Sequence, residues 1–217
     1  MTTSTHTPRD SEAKLQLILR VSSQVFAERG FEATSVRDIS RAAGVSLSGL
    51  YYYFESKQHL LYLIQSATFT FVLENLKARL AGTPNPVERL RLLVLNHIEY
   101  FLTHPNEMKV LSHEEDALEE PYREKVQAIK RRYYALARQI FDSLAAEGLA
   151  SGIQPRIAVL SLFGMMNWPY KWYKAGVDPD AQELTAAIVG IFLHGVLPAH
   201  AEAKAAYSSG VGAREQG

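Results

Sequence analysis

The stretch that decides the fold is residues 35–57, which read SVRDISRAAGVSLSGLYYYFESK. Ser35 and Asp38 have the spacing of a capping box, with Asp in the place of the usual Glu, so a short helix is expected to begin here. Gly44 lies in a tight turn after that helix, and Ser46 can cap a second short one. Two short helices joined by a glycine-containing turn are the arrangement of a helix-turn-helix, in which the second helix enters the major groove of DNA.

The second of these helices, predicted over residues 47–54, has a composition suited to DNA contact. Ser48 and Gly49 leave its first turn small and polar, so that it can approach base edges closely. Three consecutive tyrosines follow, between the apolar anchors Leu50 and Phe54. The alternative interpretation is that the tyrosines are core residues, but consecutive helical side chains project in different directions, so all three cannot be buried.

The rest of the chain also predicts helices. Apolar residues recur at steps of three and four, and prolines, glycines and capping residues mark the ends. The predicted fold is all-α with about nine helices, over residues 12–29, 36–43, 47–54, 57–80, 87–103, 106–112, 121–147, 154–174 and 178–196.

The composition excludes several classes of protein. The 217 residues are 47% hydrophobic, and 23 basic residues balance 23 acidic ones, which argues against a strongly basic, nonspecific binder of polyanions. The absence of cysteine excludes disulfide scaffolds, cysteine-ligated metals and thiol nucleophiles. No signal peptide or membrane span is visible, so we expect a cytoplasmic protein.

The quoted stretch, extended back to ATSVRDI at residues 33–39, resembles the DNA-binding signature of TetR-type repressors. The resemblance covers about residues 11–60. It implies a three-helix DNA-binding head at 11–56 and a helical body at 57–200 that binds a small-molecule effector and forms a homodimer on a palindromic operator. Residues 1–10 and 201–217 are expected to be disordered.

The resemblance also implies roles for individual residues of the head. Those expected to grip DNA phosphates are Thr34, Tyr51, Tyr53 and Lys57. Those expected at or near base edges are Arg37, Ser46, Ser48, Gly49 and Tyr52. Position 53 is commonly histidine in the family, so Tyr53 leaves the details of that contact open. Residues 1–60 carry seven basic and six acidic side chains, so the placement of Arg37, Arg41 and Lys57 must matter more than the total charge.

The most informative part of the body is residues 165–173, MMNWPYKWY. Trp168 and Trp172 are four residues apart and share a face of a helix, which Pro169 should kink because it removes a backbone hydrogen bond. The segment is either the wall of a pocket or a bulky stripe in the core or dimer interface.

This segment resembles a subset of TetR-type regulators that respond to acyl-CoA thioesters, in which Asn-Trp is followed by Trp-Tyr. The resemblance implies an effector with an acyl chain in an apolar cavity and a charged CoA moiety at basic side chains, and no other cofactor. The residues expected to line the cavity are Tyr100, Met108, Leu111, Tyr134, Phe141, Met165, Asn167, Trp168 and Trp172. The residues expected to meet the CoA phosphates or the pantetheine end are Arg131, Arg132 and Arg138.

Two alternatives remain open. The three arginines could simply form a solvated helix face that balances nearby acidic residues, and the effector could be a hydrophobic drug or aromatic compound that controls an efflux gene. An all-α thioester-binding enzyme is the weakest alternative. His97, His104 and His113 lack the spacing of a metal site, and no nucleophile elbow or phosphate loop is present.

The last predicted helix points to self-association. Ile188, Ile191 and Phe192 make it apolar over too wide an arc for burial on one side. We therefore predict a homodimer joined by a four-helix bundle of the last two helices of each chain.

Overall fold

The helices of the computed structural model, which describes residues 8–114, 116–149 and 153–194, begin largely where the sequence supplies caps. Ser35 and Asp38 form the reciprocal capping box, and Ser46 and Ser56 accept hydrogen bonds from backbone N–H groups three residues on. Asn85 caps the next helix in the same way. The helices are α1 Pro8–Arg29, α2 Val36–Ala43, α3 Leu47–Tyr51, α4 Lys57–Leu80, α5 Pro86–Thr103, α6 Pro105–His113, α7 Tyr122–Ala146, α8 Pro155–Asn167, α9 Pro169–Trp172 and α10 Ala181–His194.

The all-α prediction is confirmed, since the described ranges contain helices and turns and no strand. Pro169 divides the helix predicted over residues 154–174 into α8 and the single turn α9, so nine predicted segments become ten helices in the part of the chain that the structure describes. None of these helices, within the described ranges, combines the length and the apolarity that a membrane span requires.

Three predicted boundaries were wrong. Residues 8–10, predicted as part of a disordered N-terminus, belong to α1, whereas residues 1–7 and the tail from 201 lie outside the described residues. α3 ends at Tyr51 rather than at residue 54, because a tighter turn follows, in which the Tyr53 N–H donates to the Leu50 carbonyl three residues back at 2.8 Å. The last helix begins at Ala181 and not at residue 178, because Asp180 caps it.

Two connected cores hold the chain together. The head core is built on α1 to α3 and includes Leu50 and Phe54, which are fully buried as predicted. It also takes in the first turns of α4 and body residues such as Val110 and Leu118. The second core lies between α4, α5, α7, α8 and α10. The head is therefore packed directly on the body through α4 and α6, so a movement in the body can reach the head.

Candidate DNA-binding surface and ligand pocket

The tyrosine run of the head is divided between surface and core. Tyr51 and Tyr52 are 52% and 78% exposed, whereas Tyr53 is half-buried against the head core with its ring 5.0 Å from that of Tyr52. Isolated exposed apolar side chains are common on protein surfaces, but two consecutive aromatic residues that are both exposed are more informative. The exposed pair therefore supports contact with another molecule, and the interpretation of the whole run as core is wrong.

The start of α3 is shaped by Ser46 and Gly49. The Ser46 hydroxyl accepts a hydrogen bond from the Gly49 N–H at 3.1 Å and lies 3.2 Å from the Ser48 hydroxyl. A β-carbon at position 49 would lie only 3.0 Å from Cγ1 of Val45 and 3.1 Å from Oγ of Ser46. A side chain at position 49 would therefore be tightly packed, and Val45 or Ser46 would have to shift by a few tenths of an ångström to accept it. Ser48 remains exposed beside it.

The cationic residues predicted on the DNA face differ in their surroundings. The exposed Arg37 side chain makes no ion pair or hydrogen bond with the part of the chain that the structure describes. Arg41 instead pairs with Asp38 at 2.6 Å, and the Ser35 hydrogen bonds together with Arg41 hold the pKa of that carboxyl below its usual value. Arg37 is therefore the better candidate for contact with DNA.

Two residues predicted to grip phosphates are bound to the loop between α1 and α2. The buried Thr34 hydroxyl donates to the carbonyl of Gly30 at 2.7 Å. The Lys57 ammonium donates to the carbonyl of Phe31 at 2.9 Å and lies 4.2 Å from the centre of its ring. Their phosphate contacts stay predictions, and the Lys57 ammonium, which has three N–H donors, can keep its bond to the loop while it makes one.

The body contains a cavity of about 290 Å³ between α4, α5, α6, α7 and α8. Of the residues predicted to line a ligand cavity, four are in its wall: Met108, Leu111, Tyr134 and Asn167. The sequence did not predict the other wall residues, which are Phe69, His97, Phe101, Ser112, Lys130, Tyr133 and Phe163. An apolar cavity with a few polar groups is the usual form of a small-molecule site.

The polar groups of this wall are centred on His97. Its ring is 4% exposed, and burial lowers its pKa to about 4 although the side chain of Asn167 acts in the opposite direction. The imidazole is therefore neutral at physiological pH. Its Nδ1 lies 3.4 Å from the hydroxyl of Tyr133, whose own pKa is raised by burial.

The predicted tryptophan and methionine wall lies elsewhere. Trp168 and Trp172 are 60% and 43% exposed and, with Met165, line a surface groove between α8, α9 and α10. These three residues do not line the cavity of about 290 Å³, because α8 turns its Asn167 side toward it and the indoles face the opposite way; their contact with a ligand stays a prediction. Their groove continues the exposed apolar face that includes Ile157, Leu160 and Ile191.

The remaining residues predicted to line the cavity also lie outside it. Tyr100 lines a different cavity, of about 340 Å³, between α1, α4, α5 and the start of α6. Phe141 is a core residue against Phe192. The three arginines predicted at the cavity form exposed ion pairs: Arg131 with Glu124 at 2.6 Å, Arg132 with Glu74 at 3.4 Å and Arg138 with Asp142 at 2.8 Å. Lys130, which precedes Arg131 in α7, is a cation in the wall of the cavity.

The C-terminal end of α6 joins the cavity to the head. Met108 and Leu111 of α6 are in the cavity wall, and the Glu114 carboxylate that follows accepts a hydrogen bond from the Phe31 N–H of the head at 3.0 Å. The Gln65 amide of α4 donates to the Glu114 carbonyl at 3.1 Å. Gln58, also on α4, donates to the Ala117 carbonyl and accepts from the Glu119 N–H. The segment after α6 is thus tied to both the head and α4.

A helix-turn-helix head tied in this way to a helical body with a cavity defines a DNA-binding regulator of the ligand-responsive class. Family models agree with this assignment along most of the chain. Residues 18–62 match the model for bacterial regulatory proteins of the tetR family, and residues 83–196 match the tetracycline repressor-like C-terminal domain. The chain belongs to the TetR family.

Individual relatives show the same relationship. The HTH-type transcriptional repressor KstR2 of Mycobacterium tuberculosis is 25% identical over 184 residues, which are 82% of this chain and 90% of KstR2. The crystal structure of AibR with isovaleryl coenzyme A and operator DNA has a TM-score of 0.74 and 27% identity, covering 83% of this chain and 98% of AibR. A TetR-family regulator from Bordetella parapertussis has a TM-score of 0.78 and 30% identity, covering 85% of this chain and 98% of its own.

Proposed function

We propose that this protein is a transcriptional repressor that binds a palindromic DNA operator as a homodimer and is released by an acyl-CoA thioester. The observation that carries the proposal is α6, which forms part of the cavity wall and is followed at once by Glu114, which accepts a hydrogen bond from the DNA-binding head. A ligand in that cavity is in contact with the element that holds the head in place. The relatives are named as transcriptional regulators, which supports a role other than catalysis.

DNA binding is assigned to α3 and the exposed residues around it. Tyr51 and Tyr52 present hydroxyl groups at the surface, and Arg37 presents a guanidinium that can reach a phosphate or a base edge. Ser48, exposed in the first turn of α3, is positioned to read bases because the N-terminal part of a recognition helix lies deepest in the groove. Contacts to phosphate set the affinity, and contacts to bases set the sequence preference.

Dimerisation is assigned to the exposed apolar face of α8 and α10. Ile157, Leu160, Trp168 and Ile191 are each about half exposed on the single chain, which is a large apolar area to leave in water. Gly164, which also lines this groove, allows close approach of a second helix. A second copy of the same face would bury these residues in a four-helix contact and hold two heads at the spacing of successive major grooves.

The effector is assigned to the cavity of about 290 Å³. This volume is at the lower end of the range for small-molecule pockets, so it suits an acyl group and leaves the CoA moiety outside. The resemblance to AibR, whose structure contains isovaleryl coenzyme A, supports this class of ligand. Lys130 in the wall supplies a positive charge for an anionic part of the ligand, the role that was predicted for the arginines.

Release follows from differential binding. A ligand shifts an equilibrium only by its difference in affinity for the two states. An acyl group that displaces Met108 and Leu111 moves α6 and loosens the bond between Glu114 and Phe31, which changes the position of the head. The long helix α4 carries the same change, because Gln58 and Gln65 bind the segment after α6.

The test has two parts. Selection from a random pool of duplex DNA by the full-length protein should enrich a palindrome with half-sites about one helical turn or more apart. Calorimetry with a series of CoA thioesters should then find binding that depends on the acyl group. Failure to enrich any DNA sequence contradicts the repressor function. Binding of an uncharged aromatic compound and of no thioester would instead favour the efflux-type alternative.

A further inference from the structure

One hydroxyl group of α2 is bonded to the turn that precedes α3. Ser40 donates from Oγ to the carbonyl of Val45 at 2.6 Å, and its own backbone carbonyl accepts from the N–H groups of Gly44 and Val45. The Val45 carbonyl accepts no other hydrogen bond from the described residues. Ser40 therefore holds both the N–H and the carbonyl of Val45, which fixes the direction in which the chain leaves the turn.

This bond reaches the proposed base-reading residue through Ser46. A peptide group is planar, so the Val45 carbonyl and the Ser46 N–H turn together. The Ser46 hydroxyl in turn lies 3.2 Å from the Ser48 hydroxyl and accepts the N–H of Gly49 at 3.1 Å. The position of Ser48 consequently depends on the peptide group that Ser40 holds.

The helix α3 is too short to fix its own orientation. It has five residues, which is little more than one turn, and a helix of this length is not stable without packing. Its C-terminal part is anchored by Leu50, which is fully buried in the head core. Its first turn packs on Val45, because a β-carbon at Gly49 would lie 3.0 Å from Cγ1 of that side chain. Loss of the hydrogen bond from Ser40 to Val45 therefore allows the start of α3 to pivot about Leu50.

We infer that Ser40 is a positioning residue for base recognition, and that its bond to Val45 sets the orientation in which the first turn of α3 meets the major groove. The inference rests on the proposed function in that it concerns the same DNA-binding surface. The short side chain of Ser48 has little reach, so a small rotation of α3 breaks its contact with a base. The longer side chains of Arg37 and Tyr51 can follow the phosphates through such a rotation. Loss of the bond therefore lowers the discrimination between bases more than the overall affinity for DNA.

The experiment uses the full-length protein and the operator selected from random duplex DNA. Fluorescence anisotropy measures the affinity for the operator, for operators changed at one base pair of the half-site, and for unrelated DNA. The ratio of the first affinity to the second is the discrimination at that base pair. Ser40→Ala should lower it about fivefold, the effect of one hydrogen bond, at the base pair where Ser48→Ala also alters it. Affinity for unrelated DNA should stay within twofold of the wild-type value.

Two further variants separate positioning from a general effect on stability. Ser40→Thr keeps the hydroxyl and should keep the discrimination. Ser23→Ala is the matched control, because Ser23 is a buried serine of the same head whose hydroxyl donates to the Leu19 carbonyl at 2.9 Å, away from the turn. It should discriminate like the wild-type protein, even where thermal unfolding shows a loss of stability equal to that of Ser40→Ala.

The outcomes distinguish the inference from the proposed function. Wild-type discrimination in Ser40→Ala, an equal loss in Ser40→Thr, or an equal fall of affinity for operator and unrelated DNA would overturn the inference and leave a sequence-specific repressor in place. If the wild-type protein discriminates between no DNA sequences, the repressor function is wrong and the inference fails with it.

Discussion

The buried imidazole of His97 should make the folded protein sensitive to mild acid. Burial lowers its pKa in the folded chain to about 4 from the ordinary value of 6.5. The unfolded chain therefore takes up a proton first as the pH falls. The free energy of unfolding does not change while the pH stays above 6.5, the ordinary pKa of histidine. It decreases as the pH falls from there toward about 4, the pKa of His97 in the folded chain.

The size of this loss follows from the two pKa values. Between about pH 7.5 and about pH 5, a shift of this size makes the folded state less stable by roughly 2 kcal/mol. His97→Phe removes the titrating group and keeps a ring of similar shape among Phe101, Tyr133 and Phe163. The variant should therefore lose roughly 2 kcal/mol less than the wild-type protein over the same interval. Other groups, including Tyr133 and Lys130 of the same wall, are common to both proteins.

The assay is urea denaturation at the two pH values and one protein concentration, since association adds to apparent stability. His104→Phe is the matched control, because that ring is exposed at the end of α5. It should leave the dependence on pH as in the wild-type protein. The reasoning is refuted if wild type and His97→Phe lose the same free energy of unfolding between the two pH values.

The remaining predictions concern transmission, DNA contact and association. Glu114→Ala should leave binding of the thioester intact but reduce its effect on DNA affinity severalfold, because the bond to the head is lost; Glu119→Ala on the same segment, where only the backbone is engaged, should not. Calorimetry measures binding of the thioester, and fluorescence anisotropy measures binding of DNA. If the thioester still released Glu114→Ala completely from DNA, transmission through the Glu114–Phe31 hydrogen bond would be excluded. Tyr51→Phe should weaken binding to all DNA sequences alike, whereas Ser48→Ala should change the preferred base at one position; competition with base-substituted operators distinguishes them, and the reverse pattern would contradict the assignment. Leu160→Glu should convert a dimer into a monomer in sedimentation at micromolar concentration, since it places a charge in the apolar face; an unchanged dimer would place the interface elsewhere.

The head was predictable because its signals are local. Capping residues and the glycine turn act within four residues of one another, so their spacing alone places α2 and the start of α3. The end of α3 was missed because it depends on the packing of Phe54 into the head core. The start of α10 was missed because Asp178 accepts the Lys174 N–H in a turn, which leaves the cap to Asp180.

The cavity was only half predictable because its wall comes from five helices. The sequence pattern around amphipathic residues such as Trp168 and Tyr134 is the same whether their side chains face a cavity, a core or a partner. Four wall residues were predicted, whereas the two indoles, also predicted at the cavity, line a separate groove. His97 was considered as a metal ligand only. The signal that identifies it is a polar residue within the apolar stripe of α5, beside Val94 and Ile98. No group of three or more acidic or histidine side chains among the described residues could hold a metal ion.

The central claim is that a ligand in the body cavity controls DNA binding by the head. It is tested most directly by fluorescence anisotropy of the selected operator bound to the full-length protein during addition of isovaleryl-CoA. The thioester should weaken DNA binding about tenfold or more, while equal concentrations of free CoA or isovalerate should leave it unchanged. DNA binding that stays constant while calorimetry shows the cavity saturated with thioester would contradict it.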